Sequence, residues 1–158
     1  MIDIRLADPG AEDVRPLIEA HLAHSQDAGP DESNHTMGAD ALRAPDIRFW
    51  VLYEGETPLG CGALKALADG TAEVKSVHVS SAARGRGLAR DLMAHLEQDA
   101  RESGATALVL ETGAEHLDEY RAARKLYEAL GYSYCGPIFG YEADPNSAFM
   151  RLDLNAAG

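Results

Sequence analysis

Between residues 84 and 90 the chain reads RGRGLAR, which sets Arg84, Arg86 and Arg90 around Gly85 and Gly87. Downstream, Leu88, Leu92, Leu96 and Ala100 recur every four residues with Met93 beside them, which is helical spacing. The basic turn therefore sits where a helix begins. A helix N-terminus holds unsatisfied N–H groups and a partial positive charge, so the turn is suited to an anion such as a phosphate. Two familiar phosphate patterns do not fit. The P-loop needs G-x-x-x-x-G-K-[ST], which is absent, and the dinucleotide pattern G-x-G-x-x-G has Arg90 where its third glycine belongs. Arg86 and Arg90 either add charge to the site or are solvated surface.

The elements around this turn can be read from period and punctuation. Ile2, Ile4 and Leu6 alternate as a strand, and Val14, Leu17, Ile18, His21 and Leu22 follow helical spacing. Residues 25–40 are polar, with Gly and Pro, and read as a surface loop or short helix. Strands are expected at 47–53, 59–67 and 72–80, the first two joined by the turn EGETP. A helix over about 86–103, a strand at 106–112 and a second helical face through Tyr120, Ala123, Tyr127 and Leu130 follow, closed by Gly131. Strands near 132–136 and 147–154 finish the chain. The order β-α-(α)-β-β-β-α-β-α-β-β implies a mixed α/β fold. Its sheet of about six or seven strands is mostly antiparallel, with helices on both faces.

The strand ahead of the basic turn changes phase. Ala72, Val74 and Ser76 share one parity, and Val77 and Val79 share the other. Either the strand carries a β-bulge, which frees backbone groups, or it is central with two apolar faces.

Composition narrows the function. At 158 residues, with 46% apolar and 25% charged residues, residues 1–158 read as a single domain with a real core. The net charge of −12 disfavours nucleic acid and membrane surfaces as partners, since both are polyanions. The acidity reflects solubility or a preference for cationic partners. Cys61 and Cys135 lie far apart and read as buried, reduced thiols. His21, His24, His35, His95 and His116 lack metal-ligand spacing and read as surface or loop residues, so no metal is expected. No signal peptide or long apolar run appears, and a cytoplasmic location is expected.

Arg84, Gly87 and Ala89 match the pattern [RQ]-x-x-G-x-[GA], and 122–132, AARKLYEALGY, matches A-x-x-L-Y-x-x-x-G-[FY]. With the strand ahead of the turn and the helix behind it, the sequence resembles the Gcn5-related N-acetyltransferases, which use acetyl-CoA. Residues 139–154 resemble a small bacterial branch of that family whose acceptor is undefined. The resemblance implies that backbone N–H groups from Arg84 through Gly85, Arg86, Gly87, Leu88 and Ala89 to Arg90 surround the coenzyme diphosphate. It also implies that the peptide-like pantetheine arm pairs with the backbone of Val77, His78 and Val79. Gly85 and Gly87 allow close approach, because a Cβ there would fill the phosphate space.

Acetyl transfer to an amine needs a deprotonated nucleophile, an oxyanion donor and a partner for the departing sulfur. The resemblance places Tyr127 beside the sulfur as general acid; spacing alone favours a packing residue. Tyr120 stands where the family has an asparagine that contacts the coenzyme. Glu73 matches a family base position, and its other reading is a strand-end charge beside Lys75. Glu111 and then His78 are the next candidates for the base, and a backbone N–H near Val79 is the expected oxyanion donor. The acceptor is expected to be a small cationic or amino-acid-like amine between 25–40 and 136–148. Asp31, Glu32, His35, Glu142 and Asp144 are either its contacts or ordinary loop residues. A homodimer is left open. A non-catalytic acyl-CoA-binding or sensing module on the same fold is the alternative, and Tyr120 is the feature that favours it.

Overall fold

Alternation along IRFWVLYE explains the centre of the molecule. Phe49, Val51 and Tyr53 face one way into a single apolar cluster, and Trp50 and Leu52 face the other way into two more. A strand with two apolar faces must be covered on both sides. The computed structural model describes residues 2–20, 42, 44–138 and 141–154, apart from the side chain of Glu119. Within them, β1 (Ile2–Leu6), β2 (Ile47–Glu54), β3 (Thr57–Ala66), β4 (Ala72–Val79), β5 (Ala107–Gly113), β6 (Ser133–Cys135) and β7 (Ser147–Asp153) form one seven-stranded sheet. The strand order is β1-β2-β3-β4-β5-β7-β6. Only β4 and β5 run parallel, and the other neighbours are antiparallel.

Helix α1 (15–20) lies on one face, where Val14, Leu17 and Ile18 pack with Phe49, Val51, Cys61 and Ala63. Helices α2 (Leu88–Glu102) and α3 (Arg121–Ala129) lie on the other. The α2 stripe is the one its spacing predicts: Leu88, Leu92, Met93, Leu96 and Ala100 are all buried. Each such leucine contributes about 1.5–3 kcal/mol by leaving water. Element order and fold class agree with the sequence reading. The loop expected at 25–40 lies outside the described residues. No helix among the described residues is long and apolar enough to cross a membrane.

Two expectations need correction. Cys135 is exposed, because β6 is a short edge strand whose three residues all face solvent; Cys61 alone is buried. His95 is half-buried against Trp50, with ring centroids 4.2 Å apart, because it points from α2 toward β2.

Candidate active site

The phase change in β4 is a bulge. Cys61 pairs with His78, but two residues on Ala63 pairs with Lys75, so β4 carries one extra residue. Ser76 absorbs it at φ 58°, in the left-handed region that a side chain rarely adopts. Beyond the bulge Val77 and Val79 both turn toward α2.

The parallel pairing of β4 with β5 runs only from Ala72/Leu108 to Val74/Leu110. Past that point β5 continues through Glu111, Thr112 and Gly113 with β7 as its partner, while His78 and Val79 pair with β3. The two strands separate, leaving a cleft between facing backbone edges. An extended, peptide-like group has the hydrogen-bonding pattern to enter such a gap.

The glycine turn lies beyond the end of β4. Gly85 and Gly87 have φ of +83° and +76°, and a Cβ built on either meets nothing within 4 Å. Gly87 is the N-cap of α2, and no side chain among the described residues caps that end. The N–H groups of the first turn are thus left to a ligand or to water. Leu88 is buried, Ala89 half-buried and Arg90 exposed. The other two arginines turn to the protein. Arg84 Nε donates to the Val79 carbonyl at 3.3 Å, and Arg86 pairs with Glu54 at 2.8 Å on the surface. It is the backbone of this turn, more than its guanidinium groups, that is open to an anion.

Tyr127 is half-buried on α3, with its ring 5.8 Å from that of Tyr132. Its hydroxyl has no hydrogen-bond partner among the described residues. Burial pushes its pKa up to about 12, so it is a neutral donor at any physiological pH. Tyr120 lies against the end of β5: a Cβ on Gly113 would sit 2.0 Å from its Cδ2.

The carboxylates lie on the other face of the sheet. Glu73 is only 2% exposed. Its Oε2 accepts from Lys75 Nζ at 3.0 Å and from the Tyr141 hydroxyl at 2.6 Å, and Lys75 also donates to that hydroxyl at 2.9 Å. The strand-end glutamate is therefore the buried member of a hydrogen-bonded triad. Burial, with Glu73 and Glu111 nearby, raises the Tyr141 pKa well above the usual tyrosine value. Glu111 is half-buried just past the last β4–β5 pair, and it accepts from Ser147 Oγ at 2.6 Å. His78 is buried and lines a pocket of about 310 Å³ near α1, together with Asp13, Ser80 and Arg84.

A model of the acetyltransferase (GNAT) family matches residues 14–132. The chain belongs to the GNAT family. As a GNAT protein it is an acyltransferase of the N-acetyltransferase type. An uncharacterised N-acetyltransferase of Bacillus subtilis, YsnE, is 39% identical over 96% of this chain and 99% of its own. The IAA acetyltransferase of Azospirillum brasilense is 38% identical over 97% and 98%. Among solved structures, a Klebsiella pneumoniae protein assigned as an acyl-CoA N-acyltransferase superposes with a TM-score of 0.80. It is 29% identical and covers 98% of each chain.

Within this GNAT site the sequence reading missed Lys75 as a partner of Glu73 and Tyr141 as the third member of the triad. Lys75 was visible as a neighbour two residues on, but Tyr141 reaches Glu73 across 68 positions, and nothing local signals that. Arg124, buried on α3, was also missed. Its signal was an arginine in helical step with Tyr120 and Tyr127. Asp144 turns its carboxylate to the backbone N–H of Asn146 at 2.8 Å, and Glu142 is exposed. Asp31, Glu32 and His35 lie outside the described residues.

Proposed function

We propose that the chain transfers the acetyl group of acetyl-CoA directly to a primary amine, with the pantetheine arm between β4 and β5. The observation that carries this reading is the separation of those strands beyond Val74/Leu110, next to an uncapped, glycine-lined helix N-terminus. The acyl-CoA named for the Klebsiella pneumoniae relative supports the same donor. The diphosphate meets the N–H groups from Arg84 to Arg90, and the backbone of Val77, His78 and Val79 faces the arm.

In the transfer, the amine nitrogen forms a bond to the thioester carbon and the carbon–sulfur bond breaks. A backbone N–H near Val79 stabilises the oxygen as it gains charge. Tyr127 serves the sulfur. With a pKa pushed up to about 12, its phenol is a weaker acid than a thiol near 8.5. Complete proton transfer is uphill, so Tyr127 acts as a hydrogen-bond donor to the developing thiolate.

Glu111 moves ahead of Glu73 as the base. Glu73 is 2% exposed, and its Oε2 is already taken up by a lysine and a phenol. Glu111 stands at the mouth of the cleft with a hydroxyl at one oxygen. The acceptor is a small cationic or amino-acid-like amine, suited to the net charge of −12. Unpaired Cys61 and Cys135 suit a reducing, cytoplasmic setting.

The test is thiol release from acetyl-CoA with a panel of amino acids, polyamines and aminoglycosides, beside calorimetry of acetyl-CoA binding. Saturable release with at least one amine, lost in Tyr127→Phe while binding survives, is expected. Binding without release for any amine would support the non-catalytic module instead.

A further inference from the structure

Helix α3 carries Tyr127, yet its one buried residue is an arginine, Arg124. Arg124 Nη1 donates to the carbonyls of Gly113 at 2.9 Å, Ala114 at 2.7 Å and Leu117 at 3.0 Å. Its Nη2 donates to the Glu115 carbonyl at 3.2 Å. The acceptors are Gly113, the last residue of β5, and three residues of the connection leaving it, just past Glu111.

The helix carries no strong start signal of its own. It has nine residues, no side-chain cap and no acidic residue in its first turn. A helix so short is not stable alone, and its position depends on what holds it. A planar guanidinium with five donors can gather several carbonyls at once, which an ammonium cannot. Tyr127 lies one turn further on, at the i+3 position that shares a helix face with Arg124. The Tyr120 ring, pressed onto Gly113, makes a second contact at the same strand end.

The geometry points to Arg124 as the positioning residue that holds Tyr127, on α3, against the strand end that bears Glu111. This rests on the role proposed above for Tyr127. Arg124 touches neither substrate nor coenzyme; it acts through the hydroxyl that does.

The experiment uses the full chain labelled with 13C at tyrosine Cζ and coenzyme A as the probe. The Tyr127 signal is assigned by its absence in Tyr127→Phe. In the wild type this signal shifts when coenzyme A binds, because the hydroxyl meets the thiol. In Arg124→Lys, calorimetric affinity for coenzyme A stays within about threefold of wild type, while the Tyr127 shift falls to about half or less. For any amine that the wild type acetylates, kcat falls by about 10–100-fold, the scale of a misplaced catalytic group. Added to Tyr127→Phe, Arg124→Lys costs less than about twofold more, since the group it serves is already gone. Arg124→Gln, which keeps a planar pair of N–H donors, gives an intermediate response and covers the case in which the lysine variant fails to fold. A full Tyr127 shift and wild-type kcat in folded variants would overturn the proposal, as would fully additive losses or unfolding of both variants. A wild-type signal indifferent to coenzyme A would instead defeat the Tyr127 assignment, and this proposal with it.

Discussion

The glycine turn at 84–90 and the Glu73–Lys75–Tyr141 triad both gather polar groups beside the same strand, and they do opposite things with them. The turn leaves its N–H groups uncapped and its glycines facing open space. The triad pairs a buried carboxylate with a lysine and a phenol. Unsatisfied groups near solvent can await a ligand at little cost, whereas unsatisfied buried groups are expensive. By that criterion the turn is a binding element, and the triad is a latch that fixes the segment containing Tyr141 to β4.

The largest effect is expected at the turn. Gly87→Glu adds a side chain and a like charge at the anion position, so acetyl-CoA affinity should fall by about 10³-fold. Gly87→Ala carries the backbone strain of φ +76° without the charge and should lose far less affinity. Calorimetry on folded variants decides, and unchanged affinity in Gly87→Glu would remove the turn from the coenzyme site.

At the latch the loss should appear in stability. Glu73→Gln leaves the Lys75 charge buried without its counterion, at about 3 kcal/mol, or a Tm lower by roughly 10 °C. Coenzyme affinity should hold, and a second change, Lys75→Met, should recover most of the stability. A Tm within a degree or two of wild type would mean that the pair is not a latch. The latch also has a sign in pH. The raised Tyr141 pKa means that its contribution is present below the ordinary tyrosine value near 10 and is lost as pH rises past it. Urea unfolding between pH 8 and pH 11 should show this fall in the wild type and less of it in Tyr141→Phe.

The two carboxylates sharpen the contrast. Alkyl amines resemble lysine, with a pKa of about 10.4, so a base matters most near neutrality and little once the amine deprotonates itself. Glu111→Gln should slow transfer by about 10–100-fold near pH 7, with the defect shrinking toward pH 10. Glu73→Gln should show a small, pH-flat change. The reverse pattern would return the base to Glu73.

The smallest effect tests the rule behind the comparison. The Tyr132 hydroxyl is buried and has no hydrogen-bond partner among the described residues, so it gains nothing from either arrangement. Tyr132→Phe should stabilise the fold by about 1 kcal/mol in urea unfolding. A destabilised variant would show that this hydroxyl is satisfied after all.

Local chemistry determined much of this from sequence. The four-residue apolar repeat set the α2 stripe, the parity change offered a β4 bulge as one of two readings, and glycines at a helix entry marked the turn. Each depends on neighbours within a few positions, where backbone geometry and side-chain period act directly. Tertiary structure decided what each polar residue near the site is for. Glu73 read as a base or as a strand-end charge until the segment after β6 brought Tyr141 back across β5 to meet it. Arg124 found its role only where the connection leaving β5 brought its carbonyls around the guanidinium. Such meetings depend on strand order and loop path, and they join residues whose separation along the chain leaves no local pattern to read.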